Sequence, residues 1–285
     1  MVHAPQITTR LGQFTNHQKV LRLLSSNNRS HQNLDWLSLE ELLQQSLCHI
    51  GIDNKEIVGV LSIPSEETRF AWVRLAASYN RTNSIDIMKL LWDKAKYKLQ
   101  KQGISCVCAL STNCWSEILL DSWSYNTTNK IVALRRKNKS VPINTHSLAH
   151  IRKATYGDLS EIISVDSTSF HAMWRYSSYM LQIALQKAKY ATVAVINNSC
   201  IGYLLATMNT NVPFVARIAV APEYQKHGIG RALIVNMLDY YNNSTCPVTE
   251  VVTQADNYAS ISLYKSLGFQ LIGQVGHVWT YNFNN

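Results

Sequence analysis

Two stretches of this sequence correspond to each other at a constant offset, and this correspondence constrains the fold more than any other feature. Asn113 and Tyr125 stand 12 residues apart, as do Asn257 and Phe269, and the offset is 257 − 113 = 144. The same offset of 144 aligns residues 73–77 with 217–221, and the helical pattern of 85–99 with the one that follows Gly228. An internal repeat of this length predicts two domains of one fold, and 285 residues exceed the usual size of a single domain.

The second half of the chain alternates helical and strand patterns, which predicts an α/β domain around a mixed sheet. Predicted helices cover residues 157–169, 176–188 and 228–241, and predicted strands cover 190–196, 200–208, 214–221, 248–253, 270–273 and 277–283. A further short helix follows Asn257, a good N-cap residue, and stops at Gly268.

The segment that joins the strand ending at Pro222 to the next helix reads Gln225-Lys226-His227-Gly228-Ile229-Gly230-Arg231. Its two glycines let the backbone come close to a ligand, and the N-terminus of a helix offers unpaired N–H groups to an anion. The chemistry suits a pyrophosphate. Alternatively, the glycines serve only a tight turn and close helix packing.

The order and separation of three motifs resemble the GNAT acetyltransferase superfamily. They are the strand end Ala219-Val220-Ala221-Pro222-Glu223-Tyr224, the Gln-x-x-Gly-x-Gly segment from Gln225 to Gly230, and Asn257 followed by Leu263-Tyr264-Lys265-Ser266-Leu267-Gly268-Phe269. The resemblance covers about half of the chain well, from residue 146 to 285, and it implies an acetyl-coenzyme A-binding acyltransferase domain.

The resemblance implies roles for particular residues. The backbone of one strand would pair with the pantetheine arm of coenzyme A, the turn and helix start would bind the diphosphate, and Asn257 would contact the pantetheine region. The implied cofactor-binding residues are Ile218, Ala219, Val220, Gln225, Lys226, His227, Gly228, Ile229, Gly230, Arg231 and Asn257. The alternative interpretation is that Asn257 serves only as a helix cap, and that Arg231 and Lys226 are solvent-exposed charges.

The implied reaction is direct attack of a neutral amine on the thioester of acetyl-coenzyme A, with no metal. Tyr264 would give a proton to the departing thiolate; otherwise it is a core aromatic residue. The sequence leaves the general base open among Glu250, Glu223, His171 and Asp166, or a water molecule. It also leaves the acceptor amine open, since the segments expected to select it, 170–179 and 209–213, carry no recognisable chemical signature.

The first half has lost the residues that this chemistry needs. At the offset of 144, Gln225 to Gly230 correspond to Arg81-Thr82-Asn83-Ser84-Ile85-Asp86, and Tyr264 corresponds to Leu120. We therefore expect two tandem GNAT-like domains, each a mixed and mostly antiparallel sheet flanked by helices (α/β, or α+β). Residues 1–140 form the degenerate domain and 146–285 the N-acetyltransferase domain, with a linker from Arg135 to His146.

The net charge of +9 lies mostly in the first half. Residues 1–145 hold 18 basic and 11 acidic residues, a net charge of +7, whereas residues 146–285 hold 9 and 7, a net charge of +2. The lysines of the predicted helix 85–99 and the basic run at 135–139 indicate a solvated helix face and a basic linker, or else an acidic or nucleic-acid partner.

The six cysteines lack the spacing of a metal site, so no metal is expected. The chain shows neither a signal-peptide pattern nor an apolar run long enough to span a membrane, so we expect a cytoplasmic protein without a membrane partner. The oligomeric state is left open.

Three functions remain at this point. The first is an N-acetyltransferase that moves an acetyl group from acetyl-coenzyme A to an amine, with catalysis in the second half. The second is an acyl-coenzyme A sensor or assembly protein that binds the cofactor without turnover. The third is an RNA- or ribosome-associated protein acetyltransferase, which the basic first half suggests.

Overall fold

The chain divides into two compact units. The computed structural model describes residues 7–25, 29–45, 47–64, 68–79, 83–137, 147–242 and 248–283. Residues 1–129 together with 276–285 make up the first unit, and residues 130–275 make up the second unit.

The helices and strands follow in chain order. In the first half they are β1 (Thr8–Leu11), a 3₁₀ turn (Phe14–Asn16), α1 (His17–Ser25), β2 (Ser30–Gln32), α2 (Leu39–Gln44), β3 (Cys48–Asp53), β4 (Glu56–Ser62), β5 (Phe70–Trp72), β6 (Leu75–Ser78), α3 (Ser84–Lys101), β7 (Cys106–Ser111) and α4 (Cys114–Ser122). From there on they are β8 (Asn126–Arg136), β9 (His150–Lys153), a 3₁₀ turn (Tyr156–Asp158), α5 (Leu159–Ser169), a 3₁₀ turn (Ala172–Trp174), α6 (Ser178–Lys187), β10 (Tyr190–Ile196), β11 (Ser199–Asn209), β12 (Val212–Val220), a 3₁₀ turn (Pro222–Tyr224), α7 (Ile229–Asn242), β13 (Thr249–Gln254), α8 (Tyr258–Ser266) and β14 (Gln270–Asn282).

The first unit contains an antiparallel sheet in the order β1-β3-β4-β6-β2. In the same unit β5 pairs in parallel with β7, and residues 277–282 of β14 pair antiparallel with β7. Apolar residues at helical spacing give α3 one buried face, and this helix packs on β3 and β4. The buried residues of that face are Ile87, Met88, Leu91, Trp92, Ala95 and Leu99.

The second unit contains strands in the order β8-β13-β12-β11-β10-β9. All neighbouring pairs are antiparallel except β12 with β13, which is parallel. Helix α5 packs on β11 and β12, and α7 packs on β10, β11 and β12. The expected class, a mixed and mostly antiparallel sheet flanked by helices, is confirmed.

The parallel strand pairs confirm the internal repeat. In the first unit Phe70 pairs with Cys106 and Ala71 with Val107, and in the second Phe214 pairs with Glu250 and Val215 with Val251. Adding 144 to each residue of the first pairs gives the second pairs. The correspondence seen in the sequence therefore extends to strand register.

The boundaries of the two compact units differ from those of the predicted domains, which were 1–140 and 146–285. Residues 131–136 of β8 pair with β13 in the second unit, whereas residues 277–282 of β14 pair with β7 in the first. The predicted limits follow the repeat along the sequence, but strand pairing between distant segments decides which residues pack together. The single strand β14 also replaces the two predicted at 270–273 and 277–283, because Gly273 continues the strand with a φ of +141°.

The predicted linker, Arg135 to His146, begins with residues that belong to β8. The Arg135 guanidinium pairs with Glu250 through Nη2 and Oε1 at 2.6 Å, and the buried Arg136 donates from Nε to the Leu267 carbonyl at 2.8 Å. Both charges therefore stabilise the second unit itself. Residues 138–146 lie outside the described residues, as do Arg81 and Thr82.

Candidate functional site

Strand β12 leaves one edge open over its second half. It pairs with β11 from Val212 to Val220, with a bulge at Ala216, but its ladder with β13 covers two residues, Phe214 and Val215. Within the described part of the chain, the backbone from 216 to 220 therefore has a strand neighbour on one side alone. A gap between two parallel strands is a place where another extended chain can add hydrogen bonds.

The direction of the free backbone groups follows from the ladder. In an antiparallel pair, alternate residues point their N–H and C=O groups toward the partner strand. Because the Ala221 N–H donates to the Ile201 carbonyl at 2.9 Å, Ala219 also faces β11, and Ile218 and Val220 face the gap. Three residues are expected to pair with pantetheine through their backbone. The N–H and C=O groups of Ile218 and Val220 face the gap, whereas those of Ala219 face β11.

The glycine-containing turn lies at the end of this edge. Gln225 closes the turn by donating from Nε2 to the Val220 carbonyl at 3.0 Å, and Lys226 and Gly228 both adopt left-handed backbone conformations, with φ of +64° and +78°. A positive φ is costly for most residues and free for glycine, so the backbone conformation favours glycine at position 228. Lys226, His227 and Gly228 are exposed.

Helix α7 starts immediately after the turn and presents its N-terminus to solvent. The Ala232 N–H makes the first helical hydrogen bond, to the Gly228 carbonyl at 2.9 Å. The N–H groups that precede it, through Arg231, have no acceptor one turn back, and the helix dipole places positive charge at the same point. The arrangement can bind an anionic group such as a diphosphate.

Gly230 allows three elements to meet. A methyl group at this position would lie 3.2 Å from Leu263 Cδ2 of α8 and 3.9 Å from Val220 Cγ2 of β12. Arg231 adds a second link to α8 by donating from Nη1 to Ser266 Oγ at 3.2 Å. The structure therefore brings the turn, the open strand and helix α8 together, as the motifs predicted.

Asn257 caps helix α8. Its Oδ1 accepts from the Ser260 N–H at 3.1 Å, and its Nδ2 lies 3.5 Å from Gln254 Oε1. The side-chain oxygen is thus committed to the helix. A contact between Asn257 and a cofactor stays a prediction, and the half-buried amide group is the part left to make it.

Tyr264 lies inside the core of the second unit, where it is 3% exposed and packs against Phe269 in a tilted arrangement with ring centroids 5.5 Å apart. Burial raises the pKa of its phenol above the usual range. The group therefore holds its proton at neutral pH, as a proton donor must. The geometry fits both interpretations of Tyr264, the acid and the core aromatic.

Two of the four candidate bases are held in ion pairs. Glu250 pairs with Arg135, as described above, and Asp166 Oδ2 lies 2.5 Å from Nε of Arg217. Each of these two carboxylates is therefore already engaged by a guanidinium group. The other two, Glu223 and His171, are exposed side chains.

A buried polar network surrounds Arg217, and no local sequence pattern indicates it. Besides Arg217, Asp166 accepts from the Tyr203 hydroxyl at 2.5 Å and from the Tyr176 N–H at 3.1 Å. The Arg217 guanidinium also donates to the Trp174 carbonyl at 2.8 Å. The network fixes the 170–176 segment, which was expected to select the acceptor, against strand β12.

Aromatic rings complete this arrangement. The guanidinium carbon of Arg217 lies 3.9 Å from the ring centroid of Phe170 and 3.7 Å from that of Tyr176. Such stacking on a buried cation adds to the hydrogen bonds. The other expected acceptor segment, 209–213, is the turn at the far end of β12, with Thr210 and Asn211 at positive φ.

Two features are absent from the described residues, a membrane-spanning helix and a cluster of metal-binding side chains. No helix there is both long and apolar enough to cross a membrane. No group of three or more His, Cys, Asp or Glu side chains in those ranges is placed to hold a metal ion.

Comparison with known proteins identifies a family domain in the second half. Residues 155–269 match the family model described as acetyltransferase (GNAT) family. A 52-residue segment is 42% identical to the ribosomal protein bS18-alanine N-acetyltransferase of Escherichia coli K12, over 18% of this chain and 35% of that protein. A 77-residue segment is 36% identical to N-alpha-acetyltransferase RimI of Mycobacterium tuberculosis, over 26% of this chain and 47% of that protein. The chain thus matches less than half the length of either relative.

Solved structures resemble the chain over nearly all of its length. A tandem GNAT protein from the clavulanic acid biosynthesis pathway aligns with a TM-score of 0.67 at 14% identity, over 98% of this chain and 99% of that one. A GCN5-related N-acetyltransferase from Sphaerobacter thermophilus aligns with a TM-score of 0.65 at 13% identity, over 97% and 95%. Similarity at these identities shows the fold, which is the tandem GNAT arrangement.

Proposed function

Because residues 155–269 belong to the GNAT acetyltransferase family, we propose that the second unit transfers an acetyl group from acetyl-coenzyme A to an amine. The observation that carries the proposal is the meeting of an open strand edge, 216–220, with a helix N-terminus behind a glycine-containing turn. This combination suits a molecule with a diphosphate at one end and an amide-containing arm.

The residues of the chain would bind the cofactor in two ways. The N–H groups from Gly228 to Arg231 would donate to the diphosphate, with the helix dipole adding to the attraction. The backbone groups of Ile218 and Val220 would pair with the amides of the pantetheine arm as an added strand does. Acetyl-coenzyme A supplies the activated acetyl group once it is bound.

Tyr264 would supply the proton that the departing thiolate needs. Its raised pKa keeps the phenol neutral, and the packing of α8 against Gly230 through Leu263 supports the proposal that the phenol lies near the open edge. Because Asp166 and Glu250 are held in ion pairs, we propose that the amine loses its proton to water or to an exposed group such as Glu223 or His171. General acid–base steps of this kind contribute about 10²- to 10⁴-fold in rate.

The experiment is a titration of the full chain with acetyl-coenzyme A by calorimetry, followed by an assay of thiol release with a panel of amines. The panel contains polyamines, aminoglycosides and peptides with different N-terminal residues. We expect saturable binding and an acetylated product with at least one class. Absence of binding at millimolar ligand contradicts the proposal, and binding with slow thioester hydrolysis alone favours a cofactor sensor.

One acceptor class is favoured by the comparisons. Both relatives named above act, by their names, on protein amino groups, one of them on the alanine of a ribosomal protein. We therefore place peptides that begin with alanine first in the panel. Acetylation of polyamines or aminoglycosides in preference to every peptide would contradict a protein acceptor while leaving the acetyltransferase assignment in place.

A further inference from the structure

A short strand covers, in the first unit, the edge that is open in the second. Strand β2 pairs antiparallel with β6, with His31 opposite Ala76. Two hydrogen bonds frame the pair: the Ser78 N–H donates to the Arg29 carbonyl at 3.2 Å, and the Asn33 N–H donates to the Arg74 carbonyl at 2.8 Å. The segment of residues 29–33 is therefore bound along β6 through its backbone.

The covered edge corresponds to the open edge residue by residue. The two framing bonds show that Ala76, Ser78 and the Arg74 carbonyl face β2, since alternate residues point the same way, whereas the Arg74 N–H donates to the Ser62 carbonyl of β4 at 3.0 Å. Adding 144 converts Arg74 and Ala76 into Ile218 and Val220, the two residues whose backbone groups face the gap of the second unit. The first unit thus pairs with its own chain an edge that has no strand neighbour in the second unit, where the Val220 carbonyl accepts from the side chains of Gln225 and Ser169.

The N-terminal end of the 29–33 segment is bound by two residues whose counterparts lie at the proposed cofactor site of the second unit. Asn113, the counterpart of Asn257, caps α4 with its oxygen and donates from Nδ2 to the Ser30 carbonyl at 3.1 Å. Arg29 donates from Nη1 to the Ser84 hydroxyl at 2.5 Å, and Ser84 is the counterpart of Gly228 at the helix start. A cation therefore lies where the second unit offers room for an anion.

The side chain of His31 fixes the middle of the segment. It is 3% exposed, and its Nε2 lies 3.0 Å from the Val73 carbonyl. Burial is the main cause that lowers the pKa of His31, so the ring stays neutral in this contact. In the second unit the corresponding segment at 174–176 approaches β12 through hydrogen bonds to side chains, and the strand edge stays open.

We propose that the 29–33 segment is a built-in ligand of the first unit, bound in the slot that corresponds to the coenzyme A site. The inference rests on the proposed function, because the second unit identifies what the slot would otherwise hold. The first unit is consequently closed to coenzyme A and to any other extended ligand. Because this slot does not bind a cofactor, the first unit does not need the counterparts of Gly228, Gly230 and Tyr264, and it lacks all three.

Residue-resolved hydrogen–deuterium exchange of the full chain, with and without coenzyme A, tests the proposal. Without ligand, the amides of Ala76 and Ser78 should exchange at least about tenfold more slowly than those of Ile218 and Val220. Coenzyme A should slow exchange at 218–231 and leave 29–33 and 74–78 unchanged. Fast exchange at Ala76 and Ser78 without ligand, or faster exchange at 29–33 on adding coenzyme A, overturns it.

Two proline variants provide a matched comparison. Asn33→Pro removes an N–H that bonds to β6, whereas Gln32→Pro removes one that points away from β6. Asn33→Pro should speed exchange at Ala76 and Ser78 at least about tenfold more than Gln32→Pro does; an equal response in both variants contradicts the proposal. Failure of coenzyme A to slow exchange at 218–231 contradicts the proposed function instead, so the two failures are distinguishable.

Discussion

Replacing Gly228 with aspartate tests whether the turn binds the diphosphate, and asparagine at the same position is the matched control. Both residues must adopt the φ of +78°, which costs an ordinary L-residue about 1–2 kcal/mol and these two less. Both are also good N-cap residues, and Gly228 is the cap of α7. The two variants should therefore unfold at similar temperatures, and the difference between them isolates one negative charge.

The size of the expected effect follows from the exposure of the position. Two unit charges about 4 Å apart interact by about 1 kcal/mol in water and by about 4 kcal/mol at an effective dielectric constant of about 20. Gly228 is exposed, so the repulsion from a diphosphate lies nearer the lower value for each phosphate charge. We expect at least about 1.4 kcal/mol in total, or about a tenfold weaker affinity.

Calorimetric titration of both variants with coenzyme A measures this difference. The dissociation constant of Gly228→Asp should exceed that of Gly228→Asn at least about tenfold at low salt, and added salt should narrow the ratio because it screens exposed charges. Equal affinities of the two variants would refute a diphosphate-binding role for the turn.

Three further predictions concern the tyrosine, the core of the first unit and pH. Tyr264→Phe should lower turnover about 10²-fold or more and leave the affinity for coenzyme A unchanged. The control Tyr258→Phe, at an exposed position of the same helix, should not change turnover. Full activity of Tyr264→Phe would contradict the role of Tyr264 as the acid. Leu120→Ala should lower the free energy of unfolding, measured by denaturant titration, by about 2–5 kcal/mol because Leu120 is buried. Ile118→Ala, at an exposed position, should change it by less than about 0.5 kcal/mol. Similar losses of stability in the two variants would contradict the burial of Leu120. The ordinary pKa of histidine is 6.5. Burial, together with the charges of two nearby lysines, lowers the pKa of His49 to about 4. As the pH falls from about 6.5 to about 4, the unfolded chain takes up a proton at His49 that the folded chain does not, so the free energy of unfolding should decrease over this pH range. The decrease should be smaller in His49→Gln. Parallel pH dependences of the free energy of unfolding in the two proteins would be inconsistent with the lowered pKa.

Local sequence signals predicted the elements that build the candidate site. The glycines at 228 and 230 marked the turn and the start of α7, and Asn257 marked the start of α8, because each acts through its own backbone or through neighbours within one helical turn. The offset of 144 predicted the second copy of the fold, and the register of the parallel strands agrees with it. Tyr264 is buried, which agrees with the alternative interpretation of this residue as a core aromatic.

Interactions between distant segments could not be predicted in this way. Asp166 and Arg217 stand 51 residues apart, and nothing in either local pattern indicates that they pair. The strand at Ser30–Gln32 is short and polar, so only its partner β6 makes it a strand. Arg135 and Arg136 were read as part of a linker because charge, without its buried partners, resembles a solvated segment.

Native mass spectrometry of the full chain with coenzyme A tests most directly the claim that the second unit alone holds the cofactor. We predict one coenzyme A per chain at saturation, and a large loss of that complex in Gly228→Asp relative to Gly228→Asn. Two molecules bound per chain, or a single molecule whose binding is equal in both variants, would contradict the claim.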